Sequence, residues 1–243
     1  MTANLGADYV FSEEIIDKKL ICCVRLPNPI LGTIDYVTAR DFSLVLSIRP
    51  DEVPKFILQI GTCSPETACE AVARLLPDIS GIDVNMGCPK SFSTSGGMGS
   101  ALMKSPEKAY EIMKALVDNF GDKISVSCKI RVLRTYEDTL NYILMMQSAG
   151  VHWISIHPRT AAEETRVPAR WYTVKKLLDS GLIKIPVLGS GDLFSPLDVH
   201  RYLSYTLAQG CILARGAIHN PGIFKLKEAM LDRSTPLLPP KDE

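Results

Sequence analysis

Cys88 and Lys129 are the side chains whose surroundings in this sequence most constrain their chemistry. Lys129 stands inside an apolar run, Ile124 to Ile130, where an ammonium loses hydration unless it meets an anion or a cavity. Cys88 precedes Pro89 in a loop leading to Ser95-Gly-Gly-Met-Gly-Ser100, which reads either as an ordinary flexible loop or as a mobile lid over the thiol. Other polar residues follow apolar runs in the same way. Gln59 lies in Phe56-Ile-Leu-Gln-Ile-Gly61, and Asn85 and Gly87 follow Ile82-Asp83-Val84. Arg131 closes the run of Lys129, and His157 and Arg159 close the next. Ser190-Gly191-Asp192 and Ala214-Arg215-Gly216 follow the last two runs. Taken singly, Gln59 is more often a hydrogen-bonded core amide and His157 a satisfied core histidine; His152, His200 and His219 stay in that class. Taken together, a lysine, a glutamine, a histidine and two glycine-containing loops, with Arg215 as a charged clamp, describe a site for a phosphorylated, planar cofactor.

These residues need elements that end at one place. Runs rich in β-branched residues predict strands at 9–11, 56–60, 82–84, 124–130, 153–156, 185–188 and 211–213. Three- and four-residue apolar spacing predicts helices over 64–76, 105–119, 135–149, 170–180 and 196–208. Ser64, Ser105 and Ser195, each before a proline, read as N-caps. Apolar strands alternating with helices imply a covered parallel sheet, and the short connections favour a (β/α)8 TIM barrel, whose chemistry lies at the carboxyl ends of its strands. The count is seven strands where a barrel needs eight. A segment over about 32–48, with β-like runs at 34–37 and 44–48, reads as an inserted hairpin. The expected organisation is one barrel domain over 1–231 and a flexible tail over 232–243.

Composition narrows the class further. With 46% hydrophobic and 22% charged residues the chain has the make-up of a globular domain, which excludes disorder and collagen-like repeats. The 27 basic and 27 acidic side chains cancel, so nucleic-acid binding would need a local basic patch or another domain. No apolar run has membrane-spanning length, and the first residues lack a secretory pattern. Seven cysteines without a CxxC pair point to reduced thiols and a cytoplasmic protein, with no metal site expected.

At Gly81-Ile-Asp-Val-Asn-Met-Gly-Cys-Pro-Lys90 the chain resembles the tRNA-dihydrouridine synthases, most closely their eukaryotic synthase 2 branch. Glu13-Glu-Ile-Ile-Asp17, Gln59-Ile-Gly-Thr62, Gly96-Gly-Met-Gly99, Cys128-Lys-Ile-Arg131 and Asn220-Pro-x-Ile-Phe224 agree in order and spacing, so the likeness covers residues 5 to 230. The resemblance implies FMN-dependent reduction of uridine in tRNA, with NADPH as electron donor and no protein partner. It implies Cys88 as the general acid that protonates C5. It places Lys129 at the N1/O2 edge of the flavin, Gln59 and Asn85 on its polar edges, and His157 as a further flavin contact. Ser190, Gly191, Asp192, Ala214, Arg215 and Gly216 would receive the phosphate, and Asn85 and Arg159 the base. The chain departs from the family pattern at Pro158 and Ser190 and shows neither an Ala-Pro-Met-like first strand nor the helical RNA-binding domain. The expectation is therefore a barrel truncated at both ends, with weakened FMN retention. The alternatives are an inactive barrel fragment, a dihydroorotate dehydrogenase-like flavin barrel acting on a free pyrimidine, and an aldolase using Lys129 as a Schiff base.

Overall fold

The computed structural model describes residues 3–226. Along the chain its elements are β1 (Val10–Phe11), β2 (Ile15–Ile16), α1 (Asp17–Ile21), β3 (Cys23–Asn28), β4 (Thr33–Thr38), β5 (Leu44–Ile48), β6 (Phe56–Gly61) and α2 (Pro65–Leu75). There follow β7 (Gly81–Asn85), α3 (Ser91–Thr94), α4 (Pro106–Phe120), β8 (Ser125–Arg131), α5 (Tyr136–Ser148) and β9 (Trp153–His157). The chain continues through α6 (Trp171–Asp179), β10 (Val187–Gly189), α7 (Pro196–Thr206), β11 (Gly210–Cys211) and α8 (Arg215–His219). The expected tail from residue 232 lies outside the described residues.

Parallel pairing runs β1-β6-β7-β8-β9-β10-β11, and the short β2 also pairs with β6. Strand, helix and next strand lie side by side in order, the connectivity of a TIM-type barrel. The seven expected strands are the seven of this path. β1 and β11 are its two ends, so among the described residues the sheet is curled and unclosed. The curl shows in Trp153 of β9, which meets Tyr9 edge-on at 5.4 Å and stacks with Phe11 of β1 at 6.2 Å, although three strands separate β1 from β9.

Strand alternation sorts the side chains. Leu58, Ile60, Ile82, Val84, Val126, Cys128, Ile130, Ile154 and Ile156 are fully buried and form one core with Val72, Leu75, Ile112, Leu116, Ile143 and Val174 of the surrounding helices. The alternate positions face the concave side, and the register stacks them in levels. Gln59, Asp83 and Ser127 are neighbours; one step higher are Asn85, Lys129 and Ser155; above them are Arg131 and His157.

Two caps form as expected. Ser64 accepts the Thr67 N–H, and Ser195 forms a capping box with Asp198. Ser105 makes no such bond: its backbone, at φ −135° and ψ 68°, is outside the extended range of the other two caps, and its N–H closes a preceding 3-10 turn on the Leu102 carbonyl. The inserted hairpin is in fact a three-stranded antiparallel sheet, β3-β4-β5. β3 escapes a sequence reading because Pro27 suggests a breaker, yet an edge strand tolerates proline. Arg25 (2.6 and 2.9 Å) and the Tyr36 hydroxyl (2.5 Å) fasten this sheet to Asp78, just before β7 and so at the end of the barrel opposite the site.

Candidate active site

On the flank built by β6, β7 and β8 the polar side chains form one hydrogen-bonded line. Ser127 Oγ donates to Asp83 Oδ1 at 2.7 Å, and Gln59 Nε2 donates to Asp83 Oδ2 at 2.7 Å. Asn85 Nδ2 donates to Gln59 Oε1 at 3.1 Å, while Asn85 Oδ1 accepts the N–H groups of Gly87 (3.0 Å) and Cys88 (2.9 Å). The line thus runs from the barrel interior to the backbone of the candidate acid. Asp83 is fully buried, and burial pushes its carboxyl up to about 6, against the opposing pull of Ser127, Gln59 and Lys129.

Cys88 is held from both sides. Its carbonyl accepts the Ser100 N–H at 2.8 Å, and Gly99 packs on it with φ +57°. A Cβ at Gly99 would lie 2.5 Å from that carbonyl oxygen and 2.4 Å from Ser93 Oγ. The glycine-rich stretch, with Met98, Gly99 and Ser100 buried, is therefore a packed support of the Cys88 loop. Burial raises the thiol above its ordinary value, a Lys90 N–H pulls it down, and the Glu14 carboxylate raises it further.

The other flank uses charge and bare backbone. Lys129, His157, Ser190, Gly191, Asp192, Ala214 and Arg215 line a cavity that opens to solvent. No hydrogen bond or ion pair among the described residues engages the Lys129 ammonium; burial lowers its proton affinity, and Asp83 opposes that. Asp192 receives Arg159 at 2.5 and 2.7 Å, Arg215 at 2.8 Å and the Ala169 N–H at 2.8 Å. Burial raises Asp192, but these partners outweigh it and hold the carboxyl below its usual range. Gly191 has φ +100°, and a Cβ there would lie 2.9 Å from Ala169 Cβ and 3.0 Å from His157 Cδ2. His157 is held down to about 3 by burial and then by Lys129, Arg131 and Arg159. Its Nε2 sits 3.0 Å from an Arg159 N–H donor, so the ring is neutral with Nε2 as acceptor.

Seven of the site residues expected from sequence thus line one cavity, and Gln59, Asn85 and Cys88 form the adjoining line. Gly216 sits in the first turn of α8, where a Cβ would lie 2.3 Å from the Leu193 carbonyl oxygen, so it packs the two loops together. Arg159, expected to meet the base, is 1% exposed and engaged by Asp192, His157 and the Val167 carbonyl (2.5 Å); it braces the site from behind. Sequence reading passed over Asp83, Ser127, Glu14 and Ser93. Asp83 carried a signal, an acid inside an apolar run, and Glu14 stood in the Glu13-Glu-Ile-Ile-Asp17 motif, whereas Ser127 and Ser93 carried none.

A curled parallel sheet with convergent polar side chains and two glycine loops at its carboxyl edge defines an α/β-barrel protein with a site at the face where such barrels place theirs. The sequence pattern of the dihydrouridine synthase (Dus) family matches residues 10–241, and the chain belongs to that family. It is 35% identical over 233 residues to the tRNA-dihydrouridine(20) synthase (NAD(P)+) of Schizosaccharomyces pombe, covering 93% of this chain and 49% of that protein. Against the Saccharomyces cerevisiae protein of the same description it is 44% identical over 169 residues, covering 66% and 44%. The chain spans about half the length of the curated relatives it matches. Among solved structures it is similar in fold to DHODH from Eimeria tenella in complex with ferulenol, with TM-score 0.60, 13% identity, and coverage of 95% of this chain and 76% of that one. The Amycolatopsis orientalis BexX/CysO complex gives TM-score 0.54 at 14% identity, covering 100% and 87%.

Proposed function

We propose that this chain is the catalytic barrel of a cytoplasmic tRNA-dihydrouridine synthase that reduces the C5–C6 double bond of uridine in tRNA, with FMN as cofactor and NADPH as electron donor. The observation that carries this reading is Lys129, a cation set in the barrel with no hydrogen-bond acceptor among the described residues and lining a cavity floored by two glycine loops. The residues fit a phosphorylated isoalloxazine. A free ammonium suits its electron-rich edge, and backbone that leaves no room for a Cβ at Gly191 suits a phosphate. When bound, FMN supplies hydride transfer between NADPH and the pyrimidine.

The chain's own residues orient and protonate. Gln59 and Asn85 each keep one amide N–H beyond the bonds they make to protein, which leaves donors for the ring and for the base. Neutral His157 presents no competing charge to the cofactor. Arg215 and the Ser190 to Asp192 and Ala214 to Gly216 loops would receive phosphate, with Arg159 holding Asp192 in place. Cys88 gives its proton to C5, a role suited to a thiol that stays protonated near neutrality. The uridine must leave its stack to reach this depth.

The chain reconstituted with FMN, NADPH and a tRNA transcript should form dihydrouridine and should leave free pyrimidines unreduced. Cys88→Ala should lose about 10²–10⁴-fold of that rate while retaining flavin absorbance. Undiminished product from the variant contradicts the role of the thiol, and turnover of free pyrimidine favours the dihydroorotate dehydrogenase-like alternative.

A further inference from the structure

Glu14, in the link between β1 and β2, takes no part in the reading above, yet it stands beside Cys88. Fully buried Ser93 of α3 donates to Glu14 Oε1 at 2.9 Å. Gly99 joins this pair to the cysteine, since a Cβ there would lie 3.1 Å from Cys88 Cβ as well as against Ser93 Oγ, and both groups act on the thiol, Glu14 raising it and Ser93 lowering it. Two glycines clear the space for this group: a Cβ at Gly61 would lie 2.7 Å from Glu14 Oε1, and one at Gly99 would lie 2.4 Å from Ser93 Oγ. Gly61 has no positive φ, and the Glu14 carboxylate occupies the space a side chain would take there. Burial is the largest influence on the thiol and raises it, a Lys90 N–H lowers it, and Lys129 and Arg131 of β8 each interact with Cys88.

Cations beside a cysteine favour the thiolate, which makes a nucleophile and spoils an acid. We propose that Glu14, fixed by Ser93, is a positioning residue that keeps Cys88 protonated beside Lys129 and Arg131, so that the thiol serves as a proton donor. The inference rests on the reading of Cys88 as general acid. In the reaction the S–H bond breaks as the C5–H bond forms, leaving a thiolate that takes its next proton from solvent.

The test is iodoacetamide alkylation of Cys88 in the native chain, followed by peptide mass spectrometry across pH, with buried Cys128 as the unreactive control. It needs neither flavin nor tRNA, so its failure leaves the assigned activity standing, and failure of the dihydrouridine assay leaves this result readable. Glu14→Gln should lower the alkylation midpoint by about one pH unit and speed alkylation near neutrality about tenfold, while Glu14→Asp should stay near the native profile. Coincident native and Glu14→Gln profiles, or an Asp variant that behaves like Gln, overturn the proposal. Should Glu14→Gln fail to fold, Lys129→Gln tests the balance from the other side: a raised midpoint supports it and an unchanged one overturns it.

Discussion

The two flanks of the site solve the same positioning problem with opposite means. On the first, β6, β7 and β8 are six, five and seven residues long and carry their polar groups on the strands themselves. Ser127, Asp83, Gln59 and Asn85 then reach Cys88 through directed hydrogen bonds. On the second, β10 and β11 have three and two residues, and the site is made by loops that Asp192 ties together through Arg159 and Arg215. Long strands fix side chains at set heights along the sheet. Short strands free backbone N–H groups, which an anion can use from several directions. The carboxylates mark the contrast: Asp83 is pushed up by burial, whereas Asp192 is pulled down by its partners in spite of burial.

The largest effect expected from disturbing this comparison comes from Gly99→Ala on the first flank. It combines a left-handed φ with a Cβ pressed against the Cys88 carbonyl, and should lower unfolding free energy by about 4 kcal/mol. Gly181→Ala, also at positive φ but with nothing within 4 Å, should lose only about 1 kcal/mol in the same urea titration. Equal losses would show that backbone strain alone, and no packing on Cys88, explains Gly99.

Asp83 gives the next effect. Its folded value lies above that of an unfolded aspartate, so the native state binds the extra proton. Stability should therefore rise as pH falls from about 6 to about 4 and be flat above 6. Asp83→Asn should be more stable than native at pH 7 by up to about 3 kcal/mol, with the gap closing near pH 4. A gap that does not change with pH refutes the buried charge.

Asp192 should behave in the opposite sense. Its folded value is depressed, so its contribution is full above the unfolded carboxylate value and is lost as pH falls through the folded one. Asp192→Asn should cost about 2 kcal/mol at pH 7, chiefly by leaving buried Arg159 without its partner, and the difference from native should shrink below about pH 4. Thermal melts of both variants across pH would place the two flanks on curves of opposite slope.

Much of this was legible in the sequence because the signals were local. Ile-rich runs ended in polar residues, and those residues, from Gln59 to Arg215, stand at the carboxyl edge. What was not legible depended on partners distant in sequence. Asp83 looked like an interruption of an apolar run until pairing put Gln59 and Ser127 beside it. Arg159 looked like an arm toward substrate until Asp192, 33 residues away, closed on it. Glu14 and Ser93 lie 79 residues apart and meet only through the fold.

The sequence by itself determined the alternation of strands and helices, the residue types at each strand end, and the likeness that names the family, because each is written in short stretches of chain. Tertiary structure decided which of those residues face one another, which charges stay without a partner and which glycines are forced by a neighbour. Those are properties of register and curl, set by how the parallel strands pack together.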